Sequence, residues 1–229
     1  MITGANGFSG NYLLKNFKVN NYNFIGISKN KKKNLKLFSI KKCDLTKSFD
    51  FPKVDWVIHT ASHHLITDFR KYPKKKFRNN ILMTKNLIKY CKINGIKNFI
   101  FFSTIDISYD NFPTQKKLYI RSKLDCEKQL TLAYNKRILK SLIILRLPAI
   151  IGKNCNLNFV GQIAKQIKRN ENIKLWGAEQ LFNNFIHIGD LLRLIKYSIK
   201  RSPKRMIKII NCLPTKPIKL INIVKIIKK

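Results

Sequence analysis

Along most of this chain, short apolar runs alternate with longer stretches in which apolar residues recur every third or fourth position. Runs of the first kind fit buried strands, and stretches of the second kind fit helices that cover a sheet. After the apolar start Met1-Ile2, the pattern predicts a helix over Phe8 to Phe17 and a strand over Tyr22 to Ser28. A third strand is expected over Leu37 to Ile40, leading to Cys43-Asp44-Leu45, and a fourth over Asp55 to His59, followed by Thr60-Ala61-Ser62. From Phe77 to Asn94, Ile81, Leu82, Leu87, Ile88 and Cys91 share one helical face. Asn98 to Ser103 is continuous and apolar, as a strand covered on both faces should be. A helix over Tyr119 to Tyr134 and a strand over Leu142 to Leu147 complete the alternation. Strands alternating with helices predict an α/β fold, a doubly wound parallel sheet with helices on both faces.

From Gly152 onward the rhythm changes: a helix over Phe159 to Arg169, a short strand over Phe185 to His187, and a helix over Asp190 to Lys200. Met206 to Asn211 reads as a strand and Ile218 to Ile227 as a terminal helix. Residues 1–151 are therefore expected to form the main sheet domain. Residues 152–229 are expected to form a small cap, interleaved with it, unable to fold alone, and covering the carboxyl ends of the strands, where open parallel sheets bind ligands.

The chain has 229 residues, 45% of them hydrophobic, enough for one domain with a real core or one with a small appendage. Its five cysteines are scattered, with no C-x-x-C pair, which fits reduced, mostly buried thiols in a cytoplasmic protein. No apolar run is as long as a membrane span and no signal peptide precedes the first glycines, so a soluble, cytoplasmic protein is expected. The formal charge of +36 raises nucleic acid or an anionic surface as a partner. Lys greatly outnumbers Arg, however, and is spread along the whole chain with much Ile and Asn, as a general compositional bias would produce. The densest runs, Lys29 to Lys33 and Lys74 to Lys76, fall in predicted loops. Non-specific polyanion binding at low salt is expected of such a surface.

Candidate chemistry sits in two places. Gly4, Gly7 and Gly10 are spaced G-x-x-G-x-x-G between the apolar start and the first helix. A strand turning sharply into a helix aims unpaired N–H groups at one spot, and glycine there lets a pyrophosphate approach. Tyr119 and Lys123 stand four residues apart on one helix face. The neighbouring ammonium is expected to lower the phenol's pKa from about 10 toward working pH. Such a tyrosine exchanges a proton with an alcohol oxygen while hydride moves at the adjacent carbon. Ser103-Thr104, ending the fifth strand, supplies a hydroxyl for the same oxygen.

With these residues in place the chain resembles the extended short-chain dehydrogenase/reductases, the NAD(P)-dependent epimerase/dehydratase family, over nearly its whole length. Thr3-Gly4-Ala5-Asn6-Gly7-Phe8-Ser9-Gly10 is similar to the family's T-G-x-x-G-x-x-G loop, and Asp44-Leu45 to its adenine-contacting D-L pair. Ile58-His59-Thr60-Ala61 is similar to H-x-A, and Asn80 to Asn86 to N-V-x-G-T-x-N with Met83 in place of Gly. Ser103-Thr104 resembles the S-S or S-T pair, and Tyr119 to Glu127 resembles Y-x-x-S-K-L-x-x-E. Two further blocks are Arg146 to Gly152 and Phe185 to Ile188 with Asp190. The resemblance implies a Rossmann-type fold, a bound nicotinamide dinucleotide, and Thr104, Tyr119 and Lys123 as the catalytic set. It implies cofactor contacts from Gly4, Gly7, Phe8, Gly10, Ser28, Lys29, Asp44, Leu45, Thr60, Ala61, Asn80, Pro148 and Ile150.

The expected activity is oxidation or reduction of a sugar carbinol or keto group, by a nucleotide-sugar epimerase or 4-keto reductase in polysaccharide synthesis. Ile105-Asp106 stands where the family's 4,6-dehydratases carry Asp-Glu, and Ile105 cannot move a proton, so dehydration is disfavoured. Ala149 and Asn183 stand where nucleotide-sugar enzymes often place an Asn and a diphosphate-binding Arg, which weakens that substrate reading. The Thr104 to Tyr119 segment is shorter than usual for the family, and only Met1 and Ile2 remain of the first strand, as in a truncated start. At the end of the second strand Ser28-Lys29-Asn30 has no acid, so NADP(H) is favoured, with NAD(H) as the alternative. A homodimer is a further expectation from the family. The competing reading is a non-catalytic dinucleotide-binding protein with a basic RNA- or polyanion-binding surface.

The remaining residues are given structural roles. His59 is expected to pack beside the cofactor, His63 and His64 to hold no metal, and His187 to make a structural bond under the cap. Asp190 reads as a helix cap, and Trp56 and Trp176 as core aromatics.

Overall fold

The computed structural model describes residues 1–17, 23–30, 40–63, 73–109, 114–155, 158–201 and 205–228. Seven parallel strands form one sheet: β1 (Ile2–Thr3), β2 (Gly26–Ser28), β3 (Ile40–Lys42), β4 (Trp56–His59), β5 (Asn98–Thr104), β6 (Ser141–Leu147) and, far along the chain, β10 (Met206–Asn211). Their spatial order is β10-β6-β5-β4-β1-β2-β3. The chain leaves β1 toward β2 and β3, then returns to the other side of β1 for β4 and β5. That reversal opens a crevice at the carboxyl ends of β1 and β4, where a ligand is received.

Side-chain alternation along the strands divides the core into two layers. Val57, Phe99, Phe101, Leu142 and Ile144 point to the face covered by α2 (Pro73–Ile93) and α3 (Thr114–Asn135). Ile58, Ile100, Phe102, Ile143 and Leu145 point to the opposite face, covered by α1 (Phe8–Phe17) and α5 (Ile188–Lys200). Both faces being covered, the central strands are apolar throughout, as their sequences indicated. Beyond β6, β7 (Ala149–Ile151) pairs in parallel with β9 (Phe185–His187), and β8 (Leu181–Phe182) pairs with β11 (Ile218–Lys219). A smaller apolar cluster joins α4 (Phe159–Lys168) to α6 (Leu220–Lys228) through Val160, Leu220 and Ile223. Two elements from this later part of the chain, α5 and β10, pack into the layers of the large sheet, β10 pairing with β6 from Met206↔Ser141 to Asn211↔Arg146.

The architecture agrees with the predicted α/β doubly wound sheet, and several local expectations are corrected. The third strand lies at Ile40–Lys42, and the expected Leu37 to Ser39 lies outside the described residues, as do Tyr22, Lys31 to Lys33 and His64. The second strand is confined to Gly26–Ser28. Lys74 to Lys76 belong to the first turn of α2, which Pro73 opens, a position where a missing N–H costs nothing. Helix α3 starts five residues before Tyr119. Ile218 and Lys219 are strand, because their backbone pairs with β8, and the terminal helix begins at Leu220. His187, not Asp190, caps α5: its ring accepts the Gly189 N–H at 3.2 Å, while Asp190 lies in the first turn and pairs with Arg193. Trp176 is 88% exposed and is no core aromatic; Trp56 is half-buried against the α1–α5 layer. No described helix is long and apolar enough to cross a membrane.

One buried histidine holds strand ends and helix together. His59 is 1% exposed; its Nδ1 lies 2.8 Å from the Thr3 hydroxyl and its Nε2 3.3 Å from the Thr84 hydroxyl. The Thr84 hydroxyl donates to Asn80 O, so it accepts from Nε2–H, and Nδ1 accepts from Thr3. Burial first, and the Lys123 charge second, hold the imidazole's pKa down at about 3. An unfolded histidine takes up its proton near pH 6.5, so between those values the unfolded chain binds more protons and stability falls as the pH is lowered. From neutrality to about pH 4.5 this residue alone should remove about 2 to 3 kcal/mol. Urea unfolding midpoints across that range should fall steeply for the natural chain, and His59→Gln should lose this acid-linked component.

Candidate active site

Thr3 ends β1 and Gly4 turns the chain with φ +68°, in the left-handed region. A Cβ on Gly4 would stand 2.8 Å from the Ala61 nitrogen and 2.9 Å from the Thr60 hydroxyl. A Cβ on Gly10 would stand 2.3 Å from Gly4 O, so only glycine lets α1 lie this close to the turn. The first N–H groups of α1 have no helical carbonyl ahead of them, and its first turn carries no acid. That positive helix end faces a cavity of about 610 Å³ that follows the carboxyl edge of the sheet.

The cavity wall includes Gly4, Gly7, Phe8, Gly10, Ser28, Lys29, Asp44, Leu45, Thr60, Ala61, Pro148 and Ile150 from the expected cofactor contacts, and Thr104, Tyr119 and Lys123 from the expected catalytic set. Asn80 stands behind the wall. Its Oδ1 accepts the His63 N–H at 2.8 Å, and its Nδ2 donates to His63 O and to the Ser122 hydroxyl, each at 3.3 Å. The residues fit a dinucleotide: a glycine cradle with no room for side chains, an anion-seeking helix end, and an elongated cavity from the β2–β3 edge to α3.

At the α3 end, Tyr119 and Lys123 are 6% and 3% exposed. The Lys123 ammonium donates to Phe102 O at 2.8 Å and lies 4.9 Å from the Phe101 ring centre and 5.9 Å from that of Tyr119. Burial lowers its pKa to about 8. The expected depression of the Tyr119 phenol is not found. Burial pushes it up, the Asp106 charge adds to the rise, and a hydrogen bond with the Ser62 side chain offsets only part. The ammonium beside it is itself desolvated and committed to a carbonyl, so its field does not outweigh the lost hydration of a phenolate.

Lys116 and Asn184 are wall residues that the sequence reading did not single out, and the partners of Asp106 and Lys29 were not foreseen. Asp106, on the 3-10 turn Ile105–Ser108, accepts the Thr104 hydroxyl at 3.1 Å and pairs with Lys116 at 3.0 Å. Lys116 precedes Tyr119 by three residues, a helical spacing that could have revealed it. Lys29 pairs with Asp44 at 3.0 Å, so a carboxylate does reach the end of β2, delivered by the segment after β3. Burial works against the Asp44 charge, but the Thr46 hydroxyl and N–H and the Lys29 ammonium outweigh it and hold that carboxyl at about 2. Asn184 lines the cavity beside the expected position 183, and its buried Oδ1 has no hydrogen-bond partner among the described residues. Among the described residues no group of His, Cys, Asp and Glu could hold a metal ion.

Comparison with known proteins agrees with this geometry. A model of the NAD dependent epimerase/dehydratase family matches residues 1–212. The dTDP-D-glucose 4,6-dehydratase of Dictyostelium discoideum is 26% identical over 232 residues, covering 84% of this chain and 53% of that protein. The UDP-glucose 4-epimerase of Vibrio cholerae is 25% identical over 214 residues, covering 85% of this chain and 64% of that protein. The chain thus spans between about half and two thirds of the length of these relatives. Among solved structures, a UDP-glucuronic acid 4-epimerase from Bacillus cereus in complex with NAD superposes with a TM-score of 0.81 at 21% identity, covering 99% of this chain and 80% of that one. At that identity the likeness establishes the fold.

The depressed Lys123 ammonium gives this site a measurable signature. Folded Lys123 releases its proton near pH 8 and the unfolded residue near 10.5, so between them the unfolded chain binds more protons and stability rises with pH. The stability of the natural chain relative to Lys123→Met should therefore grow by about 1 kcal/mol between about pH 8 and 9 in paired urea titrations. A constant difference would show that Lys123 titrates as an ordinary lysine.

Proposed function

Because this chain belongs to the NAD dependent epimerase/dehydratase family, we propose that it binds a nicotinamide dinucleotide along the glycine loop and acts on a sugar carbinol or keto group. The reaction class we favour is that of a nucleotide-sugar epimerase or 4-keto reductase. The observation that carries this reading is the meeting of Thr104, Tyr119 and Lys123 with the glycine cradle on one continuous cavity.

In this proposal residues 1–151 hold the cofactor, while β7, β9 and the segment after Gly152 close the sugar side. When bound, the dinucleotide supplies hydride acceptance or donation at the reacting carbon. Tyr119 holds the proton at the substrate oxygen. Burial keeps its phenol protonated, which suits it to deliver a proton to an oxygen that gains charge as a carbonyl is reduced. Lys123 provides the neighbouring cation for the reverse transfer. Thr104 orients the same oxygen; its hydroxyl accepts the Asp106 N–H at 3.3 Å and donates to the Asp106 carboxylate. Asn80 of α2 donates to the Ser122 hydroxyl, which donates in turn to Tyr119 O at 2.7 Å, tying α2 to the part of α3 that carries Tyr119.

Dehydration is disfavoured by the same geometry. Ile105 is 2% exposed and cannot deliver a proton, and Asp106 is engaged by both Thr104 and Lys116. The cofactor we propose is NADP(H), with Lys29 as the cation for a 2′-phosphate. Asp44 competes for that cation, which makes NAD(H) the second reading. The setting we propose is cytoplasmic, in polysaccharide synthesis, with homodimerisation and non-specific polyanion binding at low salt as lesser parts of the proposal.

Tyr119→Phe should bind cofactor as the natural chain does and lose at least about a hundredfold in turnover, the share of a positioned acid–base group. Retained turnover would sink the mechanism. Titration with NADPH and NADH, followed by nicotinamide fluorescence in moderate salt, should show tighter binding of NADPH. Lys29→Ala should reduce that preference by about tenfold, the loss of one charge-assisted phosphate contact. Tighter NADH binding would assign Asp44 and Lys29 to an NAD site.

A further inference from the structure

Asp106 is a carboxylate at the reacting end of the cavity that has no part in the proposed proton and hydride transfer beyond holding the Thr104 hydroxyl. It stands two residues after Thr104, its side chain 14% exposed, with one oxygen on the Thr104 hydroxyl at 3.1 Å and the other on the Lys116 ammonium at 3.0 Å. General composition does not put it there, because the chain has only 11 acidic residues against 47 basic ones. Lys116, on the same wall, is the cation that could otherwise meet an anionic substrate group, and Asp106 already holds it.

A substituent beside the reacting carbon therefore meets an ion pair, not a lone cation. A hydroxyl suits such a pair, since it can donate to the carboxylate and accept from the ammonium. A carboxylate meets Asp106 as a like charge, and the ammonium that could offset the repulsion is occupied. Resting on the nucleotide-sugar reading above, we propose that Asp106 is a specificity-determining residue. It admits sugars whose substituent next to the reacting carbon is a neutral hydroxyl group and rejects uronic acids, and Lys116 is the cation it withholds from them.

The test is calorimetric titration of the full chain with UDP, UDP-glucose and UDP-glucuronic acid; the two sugars differ by a hydroxymethyl group against a carboxylate. The natural chain should bind UDP-glucose at least about tenfold tighter than UDP-glucuronic acid. Asp106→Asn, which retains an acceptor for Thr104 and removes the negative charge beside Lys116, should shrink that ratio to about unity or invert it. Lys116→Gln should enlarge it. Opposite shifts from the two halves of one ion pair separate selectivity from loss of a structural contact, which would weaken both sugars together. Equal affinities in the natural chain, or an unchanged ratio in Asp106→Asn, overturn the inference while binding of UDP leaves the nucleotide-sugar reading standing. Failure of all three compounds to bind the natural chain overturns both.

Discussion

A single buried chain of hydrogen bonds ties the glycine loop to the helix that carries Tyr119. It runs from the Thr3 hydroxyl to His59, on to Thr84, through Asn80 to Ser122, and ends on Tyr119 O. A parallel sheet covered on both faces leaves polar groups at its strand ends that water does not reach, and each must find a protein partner. Here that requirement is met by a series in which each group takes one partner and offers the next. Thr3 adds two more links, accepting the Ala61 N–H at 3.2 Å through its hydroxyl and the Thr60 hydroxyl at 2.7 Å through its carbonyl. The two ends of the cavity, cofactor loop and α3, are thus registered through the interior and not across the opening.

A second network fixes the other side of α3. Glu127, one turn after Lys123, takes a bidentate bond from Arg146 at 3.1 and 2.8 Å and the Ser103 hydroxyl at 2.5 Å. Ser103 and Arg146 face each other in the β5–β6 register, so the carboxylate joins both strands to the helix. Removing one partner would leave a buried charge uncompensated, the expensive way to lose an ion pair. Between these two networks Tyr119 and Lys123 are held from opposite directions, and Phe77 adds a ring against Tyr119 at 6.0 Å between centres. The desolvation that shifts both groups is a direct consequence of that enclosure.

Much of the fold was legible because burial on two faces writes itself into the sequence: Asn98–Thr104 and Ser141–Leu147 are apolar almost without interruption. Helices α1 and α2 followed from periodicity to within a few residues. What escaped was set by pairing across distance. Two-residue strands such as Leu181–Phe182 carry too few positions for any period, and Ile218-Lys219 continues a helical pattern that its hydrogen bonds to β8 override. Trp176 shows the limit of composition, since a large aromatic in sequence says nothing of what covers it. For the site, the glycines and the Tyr119–Lys123 pair were readable because backbone geometry and helix spacing dictate them. The sign of the Tyr119 shift was not, because it depends on how deeply the phenol is buried and on a carboxylate thirteen residues away.

The charge distribution follows the same division between surface and interior. An excess of 36 positive charges would fill any anion-binding cavity with cations if lysine were placed indifferently. Instead, two of the three lysines on the described wall are paired with acids on the same wall, Lys29 with Asp44 and Lys116 with Asp106, and the third, Lys123, donates to a backbone carbonyl and has its pKa lowered to about 8. In a low-dielectric crevice an extra cation acts far more strongly than on the surface, and it would bind anions of any shape. At the glycine loop the attraction for a phosphate is left to the helix end and the N–H groups, and those act only at short range and in fixed directions. Among the described residues, the lysines that reach the cavity are thus each held by a carboxylate or a carbonyl of the protein itself.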